Sequence, residues 1–300
     1  MRVKAITQPP EQLWPAVLDW YRRHQRDLPW RAAGVSAWAV LVSEVMLQQT
    51  PVVRVEPRWR EWMQRWPQPA DLAAATPAEV LRAWDRLGYP RRALRLREAA
   101  AAIRDRHDGV VPVATSDLLV LPGIGSYTAA AVRSFAYGER DVVLDTNVRR
   151  VLGRVLDGAA LPAPSLTRAE ERRAEGVLPP EPAASARWNV GLMELGALVC
   201  TARSPRCDVC PLADVCAWRA AGYPGDVHAH RRRTQAWEGT ERQARGRIMA
   251  ALRAAVGALT VEDLPDWGDR TQRDRVLAGL VSDGLVAVTG SPARYRLPEQ

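Results

Sequence analysis

Residues 121–150 read LPGIGSYTAAAVRSFAYGERDVVLDTNVRR, and the fold turns on that stretch. An apolar segment ends at Leu121, and Pro122, Gly123 and Gly125 force a tight turn. A helix is expected to restart at Ser126 and run to Tyr137, because Ala129, Ala130, Val132 and Phe135 keep a 3.6-residue period. Gly123 and Gly125 permit positive φ and let the backbone approach a neighbour closely. The first amides of the new helix then face outward at the positive end of its dipole, an anion site suited to phosphate. Asp145 follows the apolar run Val142-Val143-Leu144 and precedes the basic pair Arg149-Arg150. A phosphate clamp and a sheltered carboxylate, joined by one helix, point to chemistry on the backbone or sugar of a nucleic acid. By itself an L-P-G-x-G turn also serves as a plain helix connection, so the rest of the chain must decide.

Upstream, residues 37–49 (AWAVLVSEVMLQQ) read as an apolar helix, with Glu44 among Val42, Val45, Met46 and Leu47. A carboxyl buried there has its pKa raised and stays available as an acid; the alternative is a solvent-facing Glu44 beside Gln48. Further helices are expected at 12–24, 55–66, 69–75, 77–87 and 93–107, with breaks at Asp27-Leu28-Pro29-Trp30-Arg31 and Leu87-Gly88-Tyr89-Pro90. Downstream, 158–164 and 177–185 read as Pro- and Ala-rich loops, 168–173 as a solvated helix face and 187–198 as a helix. Residues 228–233 (HAHRRR) mark an exposed basic linker. Beyond it, helices at 241–256, 260–264 and 271–284 and a hairpin of 286–289 with 293–297 make a winged-helix pattern. Such a pattern does not by itself imply DNA reading.

A chain of 300 residues fits two domains with a small third. The net charge of +8 favours a polyanionic partner. No stretch approaches the ~20 apolar residues of a membrane span, and the start, MRVKAITQPP, lacks a signal-peptide core. A cytoplasmic protein without membrane contact is therefore expected. In that compartment, four cysteines spaced C-x6-C-x2-C-x5-C (Cys200, Cys207, Cys210, Cys216) point to metal rather than disulfides. Four thiolates hold either zinc or an iron–sulfur cluster. With one close pair and wide outer spacings, a 4Fe-4S cube is favoured.

On these residues the chain resembles the helix–hairpin–helix DNA glycosylases of the endonuclease III superfamily, and within it the MutY-type adenine DNA glycosylases. The resemblance spans about residues 10–220. It rests on residues 43–50 (SEVMLQQT), on residues 121–128 with Asp145, and on the cysteine spacing. It implies an all-α helix–hairpin–helix fold: a six-helix barrel over 32–150, an iron–sulfur cluster domain from 8–31 and 151–224, and an active site between them. A basic linker over 225–240 and a winged-helix-like unit over 241–300 complete the chain. The implied reaction is hydrolysis of the N-glycosidic bond of adenine mispaired with 8-oxoguanine or guanine in double-stranded DNA. The base must first be flipped into a pocket. The resemblance makes Glu44 the proton donor to the leaving adenine and Asp145 the carboxylate that stabilises the oxocarbenium, as in glycosidases. It puts Tyr127 near the sugar and Glu44, and Gln49 and Tyr89 as wedges in the base stack. Gly123, Gly125 and Ser126 fall on the phosphate side, and Trp30, Arg31 and Leu47 on the base pocket. A monomer working at the nucleoid is expected.

Bifunctional relatives cut the strand through a lysine Schiff base, and their lysine falls where Tyr127 stands. The chain's one lysine is Lys4; a Schiff base needs an amine, so a monofunctional enzyme is expected. Three departures stand out. Val190 replaces a polar Gln or Glu, Pro90 replaces a second tyrosine, and a Nudix-like lesion-reading domain has no counterpart in the seventy residues after His230. Two other readings compete: a glycosylase for T or U opposite G, and a non-catalytic iron–sulfur DNA-binding regulator. Glu44 opposes the first, and Glu44 with Asp145 the second.

Overall fold

The computed structural model describes residues 12–231 and 237–299. Lys4, residues 8–11 of the expected cluster domain and residues 232–236 of the expected linker lie outside them. The described helices are α1 (Leu13–His24), α2 (Ala37–Leu47), α3 (Val52–Arg65), α4 (Pro69–Ala74), α5 (Pro77–Trp84), α6 (Arg91–Arg106) and α7 (Thr115–Leu119). They continue with α8 (Ser126–Tyr137), α9 (Thr146–Asp157), α10 (Arg168–Gly176), α11 (Pro182–Leu198), α12 (Ala217–Ala220), α13 (Glu241–Ala254) and α14 (Arg270–Ser282). One antiparallel pair, β1 (Ala287–Thr289) with β2 (Arg294–Arg296), follows in the register Val288 opposite Tyr295. No helix of the described residues is long and apolar enough to cross a membrane.

The chain divides into two compact units. One comprises Met1–Ala37 and Gly125–Arg233, the other Trp38–Ile124 and Thr234–Gln300. The division falls inside the hairpin, before Gly125, whereas the sequence reading places it after residue 150. Helix α8 goes with the first unit because it packs on α11. There Asn189 donates to Ser134 Oγ (3.0 Å) and to the Asp141 carbonyl (2.8 Å). The core of this unit joins Leu13, Val17 and Trp20 of α1 to Val148, Val151 and Val155 of α9 and to Trp188, Leu192 and Leu195 of α11. Helix α9 is absent from the sequence reading. Its apolar residues 148, 151, 152 and 155 nonetheless keep a helical period, and all four are buried.

The second unit is built on tryptophans. The Trp62 ring meets Trp66 and Trp84 edge to face, at 4.8 and 5.5 Å between centroids. Helix α5 begins with a reciprocal cap: Thr76 Oγ1 accepts from the Glu79 amide, and the Glu79 carboxylate accepts from the Thr76 amide at 2.9 Å. The C-terminal helices share this unit's core, where Ala78 and Leu81 pack with Ala244, Ile248, Leu252, Val276 and Leu280.

Four local readings are corrected. Residues 260–264 form a bend rather than a helix, because the amide and hydroxyl of Thr260 both donate to Asp263 Oδ2. Leu259 pairs with Tyr295 as an isolated antiparallel bridge, so the hairpin gains a third partner. Helix α11 starts at Pro182, inside the expected loop, since proline lacks the N–H that a first helical position leaves unpaired. Helix α10 is not a wholly solvated face, because Glu170 is buried against Arg149.

Candidate functional site

The hairpin explains its glycines. Gly123 has φ +79°, and a Cβ there would stand 2.8 Å from the Cβ of Arg95, so both conformation and space require glycine. Gly125 caps α8 without any side-chain acceptor. Gly125 and Ser126 are exposed and Tyr127 is half-buried in the first turn. The first α8 amides thus carry no side-chain cap, at the positive end of a twelve-residue helix.

Helix α8 ends on Gly138 in the left-handed conformation, and Asp145 then caps α9. One Asp145 oxygen accepts from the Val148 amide at 2.6 Å, the other from Asn147 Nδ2 at 2.8 Å. Burial raises the Asp145 pKa above the ordinary carboxylate value, and these hydrogen bonds and the nearby Arg150 charge only partly oppose it. Arg150 directs its donors elsewhere: to the Cys200 carbonyl (2.7 Å), to Asn147 Oδ1 (2.7 Å) and to the Gly196 carbonyl (2.8 Å).

Also in the first unit, Trp30 is buried in a short 3-10 turn, Pro29–Arg31. Arg31 donates to Glu194 Oε2 at 3.0 Å. Arg26 grips the same carboxylate with Nε and a terminal nitrogen, at 2.8 and 2.7 Å, and adds its backbone amide at 2.8 Å. Burial alone would raise the Glu194 pKa, but the two arginines bring it down to about 2. The other terminal nitrogen of Arg31 is buried without an acceptor in the described structure. Val190 is half-buried on α11. Sequence reading missed Glu194 and Arg26. The signal was present, since Glu194 interrupts the apolar run VGLMELGAL just as Glu44 interrupts VLVSEVML.

The second unit carries Glu44, Leu47, Gln49 and Tyr89. Glu44 is 5% exposed within α2, which excludes the solvent-facing alternative. Leu47 is half-buried at the end of that helix. Gln49 and Tyr89 are exposed, and both have positive φ, 55° and 47°. Residues other than glycine hold such a conformation only where the surroundings enforce it. Here Arg92 does so. It donates to the carbonyls of Val45 (2.8 Å) and Gln48, to Thr50 Oγ1 (3.1 Å) and to the carbonyls of Leu87 (3.3 Å) and Gly88 (3.1 Å). One guanidinium therefore ties the loop of Gln49 to the loop of Tyr89. It also ends α2 at residue 47, two residues before the expected end.

All four cysteines are half-buried and free of disulfides. They line one pocket with Val151, Arg154, Val199 and Trp218. Four thiols on one pocket are a donor set that would suit an iron–sulfur group. Burial pushes the Cys210 thiol up to about 12 and raises Cys216 as well; thiolate ligands form here only as metal replaces the protons. Arg154 is almost fully buried, with its guanidinium 3.3 Å from Cys200 Sγ and 4.3 Å from the Trp218 ring centroid.

Residues 42–175 match the family described as HhH-GPD superfamily base excision DNA repair protein, and residues 200–216 match the iron-sulfur binding domain of endonuclease III. The matched folds define a helix–hairpin–helix repair glycosylase with an iron–sulfur loop. Adenine DNA glycosylase of Mycolicibacterium smegmatis is 54% identical over 275 residues, covering 91% of this chain and 92% of that protein. Adenine DNA glycosylase of Mycobacterium tuberculosis (strain CDC 1551 / Oshkosh) is 52% identical over 285 residues, covering 94% and 92%. Among solved structures, a thermostable thymine-DNA glycosylase superposes with a TM-score of 0.64 at 26% identity, covering 71% of this chain and 97% of that one. The chain belongs to the adenine DNA glycosylases of base-excision repair. It is an enzyme, a DNA N-glycosylase, and a 4Fe-4S protein. A non-catalytic regulator is thereby set aside.

Proposed function

We propose that this enzyme removes adenine mispaired with 8-oxoguanine or guanine from duplex DNA, as a monofunctional glycosylase acting as a monomer in the cytoplasm at the nucleoid. The observation that carries the reading is Glu44, a carboxyl buried in an otherwise apolar helix, in a chain 54% identical to an adenine DNA glycosylase. Glu44 gives a proton to a ring nitrogen of the flipped adenine, which turns a poor leaving group into a good one. As the glycosidic bond lengthens, positive charge grows on the sugar. Ionised Asp145, held by the Val148 amide and Asn147, faces that charge and stabilises it. Tyr127 lines the sugar side.

Trp30, Arg31 and Leu47 wall the base pocket, and Gln49 and Tyr89 enter the stack that the base has left. The backbone at Gly123, Gly125 and Ser126 takes a phosphate. The four cysteines would hold the cluster, which would tie the loop to the rest of the first unit. The domain arrangement expected from sequence accommodates these roles: a barrel with the hairpin, a cluster domain and a C-terminal winged-helix-like unit.

Single-turnover excision on labelled duplexes tests the reading, with A opposite 8-oxoguanine, A opposite G and T opposite G. Wild type is expected to excise adenine, and Glu44→Gln to lose about 10²–10⁴ of the rate. Excision of T opposite G without adenine excision would overturn the substrate. Borohydride should trap little enzyme–DNA adduct, since the only side-chain amine is Lys4; trapping in high yield would refute the monofunctional assignment.

A further inference from the structure

The C-terminal helices of the second unit bring a cation to the Tyr89 loop. Arg242, in the first turn of α13, lies over the Tyr89 ring at 5.2 Å and over the Trp237 ring at 5.5 Å. Arg92 lies 5.6 Å from the same Tyr89 ring. Tyr89 is 46% exposed and Trp237 53% exposed, and Arg242 is exposed as well. This turn is anchored: Thr240 Oγ1 donates to the Trp237 carbonyl (2.8 Å), and Gln272 donates to the Gly239 carbonyl (3.1 Å).

Two neighbouring acids are already engaged. Glu241 pairs with Arg275, and Asp283 pairs with both Arg91 and Arg245. Among the described residues Arg242 meets no carboxylate and no hydrogen-bond acceptor; only ring faces hold it. A ring face attracts the charge and leaves the guanidinium N–H donors free. A planar fork of free donors on an exposed cation matches a pair of phosphate oxygens.

We propose that Arg242 is a DNA-backbone contact that binds a phosphate beside the base step Tyr89 enters. The C-terminal helices then form part of the DNA-binding surface instead of only buttressing α5. The inference rests on the reading of Tyr89 as a wedge. Charge chooses the occupant: the chain carries +8, and phosphates receive most arginine contacts in DNA complexes without regard to sequence.

The test measures equilibrium binding of the full-length protein to a duplex carrying a stable abasic-site analogue, across a range of salt. Guanine, 8-oxoguanine, cytosine or thymine stands opposite the analogue. Arg242→Gln should weaken binding several-fold with every opposite base and lower the slope of log K against log [salt] by about 0.9, one phosphate contact. Arg242→Lys should restore the slope. Weaker binding with an unchanged slope would overturn the proposal and make Arg242 a prop for Tyr89. A loss confined to guanine and 8-oxoguanine would overturn it in favour of a base-edge contact. Tyr89→Ala separates the two readings: if it binds and excises like wild type, the wedge reading fails by itself. Thermal unfolding of each variant confirms that it folds.

Discussion

Two acids of the first unit sit close to arginines and are treated in opposite ways. Glu194, with a side chain 0% exposed, receives Arg26 in a two-pronged grip and Arg31 besides, and its pKa falls to about 2. Asp145 has Arg150 five residues along α9, yet Arg150 donates to three carbonyls and an Asn side chain, and burial raises the Asp145 pKa. A carboxylate clamped by two guanidiniums is neutralised: it builds structure and has little negative potential to lend. One held by an amide and an Asn, with the nearby arginine bonded elsewhere, is far less compensated, as stabilising a developing sugar cation would require. The fold directs its cations to Glu194 and away from Asp145, the acid proposed to face the sugar.

Breaking the Glu194 clamp has the largest expected effect. Glu194→Ala leaves two partly buried guanidiniums unpaired and should cost about 3–5 kcal/mol of folding stability, read by denaturant unfolding. A loss under 1 kcal/mol would mean that the clamp is a surface pair and the contrast with Asp145 is empty. Asp145→Asn should behave in the opposite way. Excision should fall by about 10²–10³. Thermal stability at pH 7 should hold or rise, because asparagine still caps α9 and no longer carries a buried charge. If the variant both unfolds and dies, Asp145 is a structural acid like Glu194.

Much of this was legible before the fold. The turn at Gly123 and Gly125, the helices α1, α2 and α8, and the cysteine loop all follow from local punctuation and apolar period. What was not legible is what distance in sequence hides. Arg26 and Glu194 lie 168 residues apart, and nothing local to either announces the pair. Only the oddity of an acid in an apolar run marks Glu194, as it marks Glu44. Arg92 falls just before the helix expected at 93–107, yet it fixes both positive-φ loops, because carbonyls from two turns converge on it in space. The bend at 260–264 escaped because a Thr–Asp hydrogen bond at the right spacing begins helices and bends alike.

The smallest effect lies in pH, and it separates the two acids most finely. Because the Asp145 pKa is raised, its ionised form is lost sooner on acidification than for a free carboxylate. The acid limb of single-turnover excision should therefore lie above the ordinary carboxylate range near 3.9. For the same reason, whatever Asp145 adds to stability is present at low pH and is lost as pH rises through its raised pKa. Glu194 works the other way. Its contribution is present above the unfolded value near 4.3 and fades as pH falls toward about 2. As pH falls, then, activity should decline before the clamp's stability does, and only further acidification should unfold the first unit. Parallel loss of rate and of structure on acidification would place both carboxylates in one electrostatic environment and remove the distinction.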